Sequence, residues 1–131
     1  GALAGLVAIT AEPLVPGPLA AIIIGGIGGL IVVVSVPMLD KLKIDDVVGA
    51  IPVHLLAGIF GTLVVAIGPD VTFMGQLVGV LAIGAFTVVS SAIVWMILKI
   101  TMGIRVSEED EYLGLDQTEV GIPAYPEFVS G

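Results

Sequence analysis

VTFMGQLVGVLAIGAFTVVSSAIVWMIL, residues 71–98, runs for 28 positions without a charged side chain. A helix rises about 1.5 Å per residue, and a bilayer core about 30 Å thick takes about 20 apolar residues to cross. This stretch is therefore long enough to span a membrane. Working outward, the same test passes twice more. Val47 to Pro69 holds 23 residues whose only ionisable side chain is His54, and Pro13 to Leu39 holds 27 with none. Gly1 to Ala11 is also uncharged but too short to cross. The reading is an all-α membrane protein, a polytopic helix bundle with three full transmembrane helices at 18–39, 47–69 and 72–98, a truncated first one at 1–11, and a cytoplasmic tail.

Composition supports that reading. The chain has 131 residues, 57% hydrophobic and 12% charged, with a mean hydropathy of +1.18. Soluble domains run nearer 45–50% apolar and about 25% charged. The apolar content excludes disorder, and the absence of cysteine excludes a disulfide scaffold. Four Lys and Arg against twelve Asp and Glu leave a net charge of −8, which excludes a nucleic-acid partner.

The bases set the orientation. Lys41 and Lys43 follow the first full span, Lys99 and Arg105 follow the third, and the opposite ends carry only Glu12 and Asp70. Both basic clusters then lie on one side, which the positive-inside rule makes cytoplasmic. The expected location is the cell membrane, multi-pass, with the C-terminus inside. From 106 to 131 the chain carries seven acids and no base. Such a charge run reads as a solvated tail. Tyr112, Leu113, Leu115, Tyr125 and Phe128 are spaced through it, and they equally suit docking on the protein's own cytoplasmic face.

Gly1 with Gly5, Gly25 with Gly29, Gly75 with Gly79 and Ala57 with Gly61 form small-xxx-small pairs, the spacing that lets membrane helices approach closely. His54 lies about eight residues inside its span, where a charged group would cost about 2.5–3.5 kcal/mol. It reads either as a neutral pore-facing ring, one nitrogen donating and the other accepting, or as a structural histidine bonded to a neighbouring helix. Pro52 implies a kink or a freed carbonyl at the same depth. Asp45 and Asp46 stand where side-chain acceptors cap the first N–H groups of the His54 helix. With one His and no Cys, a metal site is not expected. No nucleophile–base pair or phosphate-binding loop appears, so neither an enzyme nor a cofactor is expected.

The order of these segments resembles the ammonium transporters of the Amt/Mep/Rh type. GALAGLVAITA at 1–11 is similar to one stretch of that family. Asp40-Lys-Leu-Lys-Ile-Asp-Asp46, Gly49-Ala50, Val53-His54 and Gly58-Ile-Phe-Gly61 resemble a second. Gly103-Ile-Arg-Val106, Glu111, Gly114-Leu-Asp116 and Ala124-Tyr125 resemble its cytoplasmic tail. The pattern departs at Val47, where proline is usual, at Pro52, where a small residue is common, and at Leu55, where glycine is usual. In the tail, Val120 and Ile122 stand where His and Glu are frequent.

The resemblance implies the C-terminal portion of a subunit in a homotrimer, each subunit with its own narrow hydrophobic pore. It implies ammonium transport with a deprotonated ammonia stage, and a pair of histidines lining the pore, the second matching His54. It also implies a tail that couples subunits and a cytoplasmic face where a PII-type signalling protein docks. Two other readings remain open: an ammonium sensor of the same family signalling through its tail, and a non-conducting structural membrane fragment.

Overall fold

A computed structural model describes residues 1–12 and 17–128. Helix α1 is Ala2–Thr10 and α2 is Pro18–Lys41; a π-helical turn, Ile51–Leu56, leads into α3, Ala57–Val64, and a 3-10 turn, Val65–Ile67, closes it. Helix α4 is Phe73–Thr101, and α5, Glu108–Leu113, opens the tail, followed by a π-helical turn at Asp116–Val120 and a 3-10 turn at Pro126–Phe128. The described residues contain helices and no strand. The chain divides into two units, Gly1–Thr87 and Val88–Gly131.

The first unit is built on small residues. Pro18 opens α2 at its first turn, where a missing N–H costs nothing. The buried positions of α2 are Gly28, Ser35 and Leu39, spaced by seven and four, one face of a 3.6-residue period. Ala4 and Ala8 of α1 pack on that face, and Val53 and Ala57 join Ala4 in the core with Val7 and Val32 against them. A Cβ on Gly28 would stand 2.7 Å from the Ala8 methyl and 2.8 Å from the Ala4 carbonyl oxygen. A Cβ on Gly61 would overlap the Ala8 carbonyl. Backbone therefore meets backbone on both sides of α1. The Gly25 and Gly29 pair does likewise against Gly5 and Gly1, whereas Gly79 has open space where a Cβ would be. The Gly75 and Gly79 pair is not a packing seam among the described residues.

Two of the three segments read as full spans hold as helices long and apolar enough to cross a membrane: α2 with 24 residues and α4 with 29. Each runs beyond its expected end, α2 to Lys41 and α4 to Thr101. Within the third, read as 47–69, the apolar helix is Ile51–Ile67, about 25 Å long. Its start is delayed because Asp46, Val47, Val48 and Gly49 form a turn, closed by the Gly49 N–H on the Asp46 carbonyl at 3.1 Å, with Gly49 at φ +72. Its end comes early because the chain becomes extended at Gly68 and Pro69 follows.

Along α4 no residue is buried. A core helix of a soluble protein would be mostly covered, and a helix this far from the N-terminus is no leader. Leaving its apolar surface in water would cost about 25 cal/mol per Å². Lipid or other protein must cover it.

The second unit ends in a locally folded tail. Ser107 caps α5, its Oγ accepting the Asp110 N–H at 3.1 Å, and four acids occupy the first turn, where the helix dipole favours them. Arg105 donates to both oxygens of Glu111, at 2.7 and 2.8 Å, but with side chains 78% and 53% exposed this pair adds little stability. Further on, Asp116 closes a loop, its Oδ2 accepting the Ala124 N–H at 2.6 Å, with Gly121 at φ +73 ending the intervening turn. The last three residues of the expected 106–131 tail lie outside the described residues.

Gly61→Val should destabilise the full-length protein in detergent by about 1–3 kcal/mol, because helix backbones must part. Gly26→Ala, with nothing within 4 Å, should be neutral or stabilising by under about 1 kcal/mol. Equal melting temperatures for Gly61→Val and wild type would overturn the seam. The Ala124 N–H holds the Asp116 carboxylate below its ordinary value of 3.8, helped by the Gln117 N–H and its own and opposed by desolvation. A lowered native value means that the loop's stability is fully present above about pH 4 and lost as pH falls through the native value. Protection of the Ala124 amide, its exchange rate relative to an unstructured amide at the same pH, should fall with acidification below pH 3.8, and Asp116→Asn should abolish that dependence.

Candidate substrate-conduction site

The segment bearing His54 is shaped by what precedes it. Helix α2 stops in a Schellman arrangement: the Ile44 N–H reaches the Leu39 carbonyl and the Lys43 N–H the Asp40 carbonyl, both at 3.0 Å, with Lys43 at φ +57. Two residues later Asp46 takes up the first free amides of the next helix. Its Oδ1 accepts the Ala50 N–H at 2.8 Å and its Oδ2 the Ile51 N–H at 2.7 Å. Asp45 is exposed and makes no such bond among the described residues. Helix ends carry orphan N–H groups that need acceptors, and a carboxylate satisfies two at once.

Pro52 stands second in the turn, where its missing N–H costs no bond. The turn is wider than an α-helix: the Ala57 N–H reaches back to the Pro52 carbonyl, five residues away. That spacing decides which side chains are covered. Pro52 and Val53 are buried with Ala57 and Gly61, while His54 and Leu55 are exposed. In an uninterrupted α-helix, residues three and seven apart share a face. His54 would then stand with Ala57 and Gly61, against α1. The extra residue of the π turn carries it off that seam.

The His54 ring makes no hydrogen bond among the described residues. An imidazole in its neutral form offers one donor and one acceptor, which suits a small polar solute or a second imidazole. No group of three or more His, Cys, Asp or Glu able to hold a metal occurs among the described residues. The sequence signals Pro52 and Asp46 separately but not their joint product, the π turn, because no periodicity rule distinguishes five-residue spacing over a single turn.

The family model described as the Ammonium Transporter Family matches residues 1–125. The chain belongs to the ammonium transporter family. It is similar to ammonium transporter Amt1 of Haloferax mediterranei, 42% identical over 136 residues, covering 98% of this chain and 26% of that protein. Ammonium transporter Amt2 of Archaeoglobus fulgidus is 39% identical over 150 residues, with 98% and 32% covered. Amt2 of Methanocaldococcus jannaschii is 37% identical over 136 residues, with 97% and 32% covered. The chain thus spans about a quarter to a third of the length of these family relatives. No solved structure matches the chain.

Proposed function

We propose that the full-length protein carries ammonium or ammonia across a membrane through a narrow apolar pore lined by two histidines, of which His54 is the second. The observation that carries this reading is the placement of His54: an imidazole inside an apolar helix, turned off the packed seam by the π turn. Membership of a family of ammonium transporters supports the substrate. An ionisable ring carried on an apolar membrane helix is costly unless it serves a passing solute or a partner ring. His54 would accept or donate one hydrogen bond to the substrate at the point where water is excluded. The apolar walls favour the neutral ammonia form over the ion, since charge is penalised far more than a dipole in that setting.

In this reading the bases at Lys41, Lys43, Lys99 and Arg105 face the cytoplasm, the tail lies on that side, and three copies assemble. The α4 surface, exposed along its length, meets lipid or other protein segments. A regulatory protein of the PII type would dock on that cytoplasmic face.

His54→Ala in the full-length protein, reconstituted in vesicles, tests the reading. Uptake of radiolabelled methylammonium should fall about tenfold or more, the size of one lost hydrogen-bonding site. Unchanged uptake at equal membrane abundance would sink the pore role of His54.

A further inference from the structure

We propose that Asp46 is a positioning residue for His54: by holding the Ala50 and Ile51 amides at the entry to the π turn with its two carboxylate oxygens, it sets the register that keeps the imidazole off the α1 seam. This rests on the pore reading of His54 and deepens it. The argument begins with a conflict in the chain. Ala57 and Gly61 must face α1, because only small residues let α3 approach the Ala8 carbonyl. His54, three residues before Ala57, would share that face in a regular α-helix. There is no space for a ring where a single Cβ on Gly61 already overlaps backbone. The chain must either break the contact or change register before Ala57.

It changes register. The π turn inserts one residue, so that Pro52, five before Ala57, takes the buried place and Val53 lies beside it. A π turn is a strained alternative to the α-helix and persists only where its surroundings impose it. Pro52 is half of the cause: its ring fixes φ at the start of the turn, and its carbonyl accepts the five-residue bond from the Ala57 N–H. Asp46 is the other half. With Oδ1 on the Ala50 N–H and Oδ2 on the Ile51 N–H, at 2.8 and 2.7 Å, it anchors the two peptide groups immediately before Pro52. The backbone is tied on the same side by the Val53 N–H on the Gly49 carbonyl at 3.0 Å, and Gly49 reaches this position only at φ +72. Asp46 therefore acts on His54 through the backbone, without touching the ring.

The test uses the full-length transporter in vesicles, with Asp46→Ala, Asp46→Asn and His54→Ala. Two quantities are read: methylammonium uptake at equal membrane abundance, and the rate at which diethyl pyrocarbonate modifies His54, followed on its own peptide by mass spectrometry. Asp46→Ala should lower maximal uptake about tenfold or more, as expected when a reacting group is displaced by a fraction of its own width. The His54 modification rate should change severalfold. Asp46→Asn, which keeps one acceptor oxygen, should fall between Ala and wild type in both. Wild-type uptake and His54 reactivity in Asp46→Ala would overturn the proposal and leave the pore reading standing. Should Asp46→Ala fail to assemble, Asp46→Asn decides alone: wild-type values overturn, a parallel change in both readouts supports. Should His54→Ala transport normally, the pore reading falls, and the His54 modification rate in the Asp46 variants still decides whether Asp46 directs the ring.

Discussion

The first unit depends on one close approach, that of α1 at Ala4 and Ala8 to α2 at Gly28 and, through the Ala8 backbone, to α3 at Gly61. In lipid there is no hydrophobic gain from moving apolar side chains off the tails, so association relies on van der Waals contact and on interhelical polar bonds. Contact is maximal where side chains are smallest. Glycine on two helices facing alanine on a third brings three backbones together, and every other position in the unit is set outward from that line. Larger side chains such as Leu30, Val33 and Val34 stand exposed on the far face of α2.

A seam this tight restricts what else the helices can carry. A histidine near the line of contact must be steered off it or the contact is lost. The π turn at Ile51–Leu56 resolves this locally, at the cost of irregular backbone, and Asp46 and Pro52 hold it in place. Departures from ideal helix geometry tend to gather where a chain does something besides pack. Within the apolar helices the π-helical departure lies on the turn that bears the chain's single histidine.

The two ends of the chain obey different physics. Helix α4 carries no buried residue and no charge until Lys99, so its stability comes from its surroundings and from its own backbone bonds. The tail, rich in acid and outside the apolar spans, folds through short-range bonds of the kind that work in water: a serine cap, the Arg105–Glu111 pair and the Asp116–Ala124 closure. None of these requires a hydrophobic core, which a segment so short could not supply.

Much of this was legible in the residues alone. Uncharged runs of 27 and 28 residues can be little other than membrane helices, because lipid demands internal backbone bonding and apolar side chains over a set length. The motifs around Asp40–Asp46 and His54 were enough to expose the family, and His54 stood out because an ionisable group is rare in such a run. The tertiary structure decided what depends on spatial register. It placed the helical part of 47–69 at Ile51–Ile67, since a turn at Gly49 and the break at Gly68 are set by local dihedrals that hydropathy does not record. It separated the glycine pairs that pack from Gly75 and Gly79, which meet no other helix within the described chain, because a small-residue spacing names a possible seam but not its partner. And it turned His54 away from α1, because a one-residue change in helical register is invisible in composition yet rotates every side chain before it.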